Sequence, residues 1–141
     1  MNQNELLGQR LKEIFPELAE RLSNVARIDD LSLLPDIMDY ICIQNDTDMF
    51  TVRYDKEEWK RIRLIGTAVI LTLYDPDVLD FKTQIKKKGL KDYMAELFEV
   101  SRSSVTMLIA EVRDILVINL FFNRQVKELA TGFEKRLKHK K

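Results

Sequence analysis

The apolar residues of this chain recur every three or four positions, and that period commits it to helices. The clearest run follows Asp55, which with Glu58 forms a capping box, the signature of a helix start. Trp59, Ile62, Ile65, Val69 and Leu73 then fall on one helix face, and Ala68, Val69, Ile70 and Leu71 make the later part apolar on most sides. Such a helix belongs in the middle of a core. A buried strand competes over residues 65–73, where β-branched residues are common, but the unbroken period from Trp59 favours helix.

The same reading extends in both directions. Leu7, Leu11, Ile14, Leu18 and Leu22 share a face that Pro16 interrupts, which predicts one helix ending near Ile14 and a second starting at Pro16. Residues 24–30 are polar connection. A helix is expected from about Leu33 to Gln44, with Ile37, Tyr40 and Ile41 facing the core. Asn45, Asp46, Thr47 and Asp48 form a turn cluster. Asp46 and Asp48 resemble part of a calcium loop, but the glycine and distal ligands are missing. Asp75 and Pro76 stop the central helix and are expected to cap and open the next, with Val78, Phe81 and Ile85 on its apolar side. Lys86, Lys87 and Lys88 would sit in its last turn, and Gly89 would end it in a left-handed conformation.

Composition narrows the class. The chain has 141 residues, 45% hydrophobic and 33% charged, with four glycines and three prolines. That describes a folded domain, or two small subdomains sharing a core. A lone Cys42 excludes an internal disulfide, and one cysteine with one histidine (His139) excludes the usual zinc sites, so no metal or cofactor is expected. The first residues carry no basic cluster before an apolar run, which predicts a cytoplasmic protein. The most apolar stretches, residues 64–74 and 115–122, fall short of the ~20 residues that span a bilayer and read as buried helix. Catalysis has little to work with. There is no glycine-rich phosphate loop, and the single histidine lies in a basic tail, so the chain is not expected to be an enzyme.

After Gly89 the pattern fits two short helices joined by a tight turn. Leu90, Met94, Leu97 and Phe98 are apolar on the first; Ser101 can cap the second, which carries Val105, Leu108 and Val112. The small Ala95 sits where crossing helices approach, and Val100 can plug the angle between them. This stretch, about residues 90–110, resembles the helix-turn-helix of bacterial and phage transcription regulators. The matching elements are Met94-Ala95, Phe98, Val100-Ser101, Val105 and Leu108. Glu99 departs from the family, which often has glycine at the turn. With the helical period along the chain, the expected fold is an all-α helical bundle with a C-terminal helix-turn-helix, and the resemblance implies that its second helix enters the DNA major groove. It implies base contacts from Arg102, Ser103, Thr106, Met107 and Ala110. Arginine suits guanine, Ser and Thr several base edges, and Met107 and Ala110 thymine methyls. Phosphate contacts would come from Lys86, Lys87, Lys88 and Lys91, and from Ser101 and Ser104 at the helix start.

The last helix, to about Leu137, should present Leu120, Phe121, Val126, Leu129, Ala130 and Phe133 on one side, either closing the core or forming a homodimer seam. The zero net charge hides an asymmetry. Residues 1–81 carry 9 basic and 16 acidic side chains, a balance of −7; residues 82–141 carry 14 and 7, a balance of +7. The expected organisation is therefore an acidic N-terminal region (residues 1–80), open to a partner or dimer contact, and a basic region (residues 81–141) with the helix-turn-helix pattern. The leading expectation is sequence-specific binding of double-stranded DNA by a small transcription regulator. The alternative is a protein–protein interaction module using the acidic N-terminal face. A replication or partition accessory factor would share the DNA-binding surface.

Overall fold

The computed structural model describes residues 26–80 and 84–139, and these are all-helical. The helices expected between Leu7 and Leu22 lie outside the described residues, as do Phe81 and the last two lysines. A 3-10 turn at Leu31–Leu33 leads into α1 (Leu34–Gln44). Then come α2 (Met49–Val52), α3 (Lys56–Tyr74), α4 (Asp77–Asp80), α5 (Leu90–Phe98), α6 (Arg102–Ile118) and α7 (Leu120–His139).

Short acidic side chains set the starts. The Asp30 carboxylate accepts from the Ser32 amide at 2.9 Å and hydroxyl at 2.7 Å, and these bonds hold its pKa below the ordinary value. Asp48 caps α2 by accepting from the Thr51 amide at 2.8 Å, so the turn cluster doubles as a helix start. Asp55 accepts from the Glu58 amide at 3.2 Å and starts α3 where the capping box predicts.

α3 is the hub, packed against α1, α6 and α7. Its Ile62, Ile65, Val69, Ile70, Leu71 and Leu73 are at most 1% exposed. Burying each contributes about 1.5–3 kcal/mol. The helix propensity penalty of a β-branched residue is below about 0.7 kcal/mol, so packing outweighs the strand preference of this run. Gly66 permits the close approach: a Cβ there would lie 2.5 Å from Met38 Sδ on α1 and 3.5 Å from Phe98 Cζ on α5. The chain before α1 is tied to the far end of α3, since Arg27 and Ile28 amides donate to the Leu73 carbonyl at 2.8 and 3.1 Å. Tyr74 Oη donates to the Asp30 carbonyl at 2.5 Å, and burial pushes its phenol pKa up. One hydrophobic cluster draws on both the acidic and the basic regions.

Three expectations need correction. The helix after Asp75 is described over Asp77–Asp80 and does not run to Lys88, since residues 84–86 are not helical. Asp75 explains the difference. Its buried carboxylate makes no helix cap but accepts the Lys86 and Lys87 amides at 2.7 and 3.2 Å, which holds this segment as a loop. Gly89 is left-handed as expected (φ 82°), but with no helix before it to end, it opens α5. Finally, Leu120 and Phe121 are not on the apolar side of α7. Asn119 breaks the path between α6 and α7 with extended backbone (φ −119°, ψ 97°) and its Oδ1 accepts the Phe122 amide at 3.0 Å. The break turns Val117, Ile118, Leu120 and Phe121 outward, while Val126, Leu129, Ala130 and Phe133 close the core. Residues 115–122, expected as buried helix, contain no buried residue: Ile115, Leu116 and Phe122 are half-buried and the rest exposed.

Candidate nucleic-acid interface

The candidate site is built on the junction of α5 and α6. α5 ends at Glu99, which is left-handed (φ 58°, ψ 44°). The turn closes with the Val100 amide donating to the Ala95 carbonyl at 2.9 Å. Ser101 then caps α6, its Oγ accepting from the Ser104 amide at 3.1 Å. Only residues 99–101 separate the two helices. Leu90, Met94, Ala95 and Phe98 bury one face of α5; Val105, Ile109 and Val112 bury one face of α6. Val100 and Leu108 are half-buried against the same core.

Burial of that face forces the other outward. Arg102, Ser103, Thr106, Met107 and Ala110 are all exposed and, one turn apart, form a ridge along the first two and a half turns of α6. Met107 is 71% exposed. Next to the ridge runs a groove of about 680 Å³ between the Asp75-held loop and α6. Lys86, Lys87, Lys88 and Lys91 line it together with Arg102, Thr106 and Ala110. The four expected phosphate lysines therefore share one cleft with three of the five expected base-contact residues. Ser103 and Met107 lie on the ridge outside the groove lining; Ser101 and Ser104 sit at the start of α6.

Several of these cations already have carboxylate partners. Arg102 Nε lies 2.9 Å from Asp92, Lys86 Nζ lies 4.0 Å from Asp77, and Lys87 pairs with Asp29. Lys88 and Lys91 have no acidic partner among the described residues. Arg102 and Asp92 are each about two-thirds exposed, and such pairs contribute only about 0–1 kcal/mol. A phosphate can exchange with Asp92 at little cost. Asp92 nonetheless lines the groove and lowers its positive potential. Glu99 pairs with Arg53 at 3.3 Å, which brings one cation of the acidic region beside the turn.

Sequence reasoning missed Arg113. It lines the groove, and its Nε donates to the Val78 carbonyl at 2.7 Å, bridging α6 to α4. Its place seven residues after Thr106 extends the same face by two turns, a signal that was readable. The Asp75 clamp had no readable signal, because it joins residues eleven and twelve apart across a loop. No protein-family model, curated protein or solved structure matches the chain.

Proposed function

We propose that this protein binds double-stranded DNA by laying the start of α6 in the major groove, and regulates transcription by occupying its site without catalysis. The observation that carries the reading is the ridge of Arg102, Ser103, Thr106, Met107 and Ala110 standing exposed beside a cleft lined by four lysines. A helix is about 10–12 Å across with its side chains and the major groove about 12 Å wide, so α6 fits lengthwise or tilted. Arg102 offers two parallel donors to guanine once Asp92 is displaced. Thr106 offers a hydroxyl, and Met107 with Ala110 offers an apolar surface to thymine methyls. Lys88 and Lys91 hold phosphates on the flank and set the register without reading sequence. α5 braces the assembly through its buried face.

Selection of bound duplexes from a random pool tests the reading. A consensus should emerge, and Arg102→Ala should erase preference at one base pair at a cost of roughly 1–3 kcal/mol. Absence of duplex binding at low salt defeats it. The second reading, a protein-binding module, draws on Phe50 and Tyr54 of the acidic region. They are 76% and 81% exposed and in edge contact at 5.7 Å.

A further inference from the structure

We infer that the bare corner formed by Val117, Ile118, Leu120 and Phe121, where α6 meets α7, joins two copies of this chain about a two-fold axis. These side chains are 76%, 81%, 80% and 79% exposed, within five consecutive positions. Scattered exposed apolar residues are ordinary; a contiguous cluster on a two-helix corner marks a contact surface. Together the four expose on the order of 500 Å², and a symmetric pair would bury on the order of 1,000 Å², the threshold for a specific interface. The corner is built, not frayed: Asn119 caps α7, and Asn123 Nδ2 donates to the Leu116 carbonyl at 3.2 Å across the bend.

A second copy is the occupant that fits. A two-fold contact needs each copy to supply both halves of every pair. Asp114 lies one turn before Ile118 on the same face of α6, and Arg124 one turn after Leu120 on the same face of α7; both are exposed. The corner is thus flanked by a negative charge on one helix and a positive charge on the other, so a two-fold pairing that sets Asp114 of one copy against Arg124 of the other makes that ion pair twice. The spacing agrees as well, and this part alone rests on the DNA-binding reading. Thr106 and Ile118 are twelve residues apart on one helix, about 18 Å. An axis at the corner sets the two ridges up to about 36 Å apart, one turn of duplex DNA.

Sedimentation of the full chain at micromolar concentration, with Phe121→Glu and Ile118→Glu alongside, tests the interface. Both sites are exposed in the single chain, so both variants should keep the wild-type circular dichroism and melting temperature. The wild type should sediment as a dimer, and each variant should self-associate about tenfold more weakly or not at all. A monomeric wild type overturns the inference, as does a dimer that survives both substitutions. The other occupant at hand is the chain's own N-terminal stretch with its Leu7, Leu11, Ile14, Leu18 and Leu22. Cover in cis gives a monomer whose melting temperature falls on substitution at Phe121, which also overturns the inference. A dimer that fails to bind duplex DNA defeats the proposed function and leaves this interface standing.

Discussion

Glu99 holds a backbone conformation that a side chain resists. A left-handed residue other than glycine costs about 1–2 kcal/mol. Glycine would relieve that strain, lose about 0.5–1 kcal/mol to its freer unfolded state, and forfeit an exposed pair with Arg53. The balance is small and favourable: Glu99→Gly should raise the melting temperature by a degree or a few, read by calorimetry. It also removes a carboxylate beside the proposed phosphate path, so duplex affinity should rise with it. Cys42 shows the opposite kind of residue, one whose surroundings silence it. Burial first, then nearby carboxylates led by Asp39, push its thiol from 9.0 up to about 11. At pH 8 that leaves about a hundredfold less thiolate than an ordinary cysteine has. Alkylation of the native protein should therefore be at least that much slower than in denaturant, and should accelerate as pH rises toward 11.

Among the elements, the loop before α5 depends most on one contact. Asp75 accepts the amides of Lys86 and Lys87 and so ties the loop to the end of α3. Removing a buried acceptor leaves both donors short and costs about 1–3 kcal/mol. Asp75→Ala should lower the melting temperature by several degrees and weaken duplex binding for all sequences alike, because Lys86, Lys87 and Lys88 lose their place. Asp75→Asn keeps an acceptor and should recover part of both. α6 illustrates what could be read in advance. Its start, the burial of Val105 and Val112 and its exposed ridge follow from local period and a capping serine, although Ile109 rather than Leu108 is the buried residue between them; Arg102, Ser103, Thr106, Met107 and Ala110 stand on that ridge. Its end was harder to read: residues 115–122 are apolar apart from Asn119, and periodicity does not say which apolar side chains a bend there will expose.

Across the whole molecule, charge is what a duplex would sense first. If Lys86, Lys87, Lys88 and Lys91 each neutralise a phosphate, the logarithm of affinity should fall with the logarithm of salt with a slope of roughly −3 to −4 per chain. Lys88→Ala should lower that slope by about 1, and Lys87→Ala by less, because Lys87 already pairs with Asp29. Titration by fluorescence anisotropy over a salt series measures both. The opposed balances of the two halves are a property of the sequence, as are the helical class, the capping residues of α3 and α6, and the face of each helix that seeks the core. Those follow from interactions within a few residues, which spacing records directly. Tertiary structure decided the rest. It chose a loop over a helix at Lys86–Lys88 by way of Asp75, gathered the lysines and Arg102 into one cleft, gave Arg102 its partner Asp92, and turned Val117, Ile118, Leu120 and Phe121 outward. Each of these depends on which distant surfaces meet. A buried carboxylate takes whatever donors packing brings to it, and an apolar side chain is covered only where another element arrives.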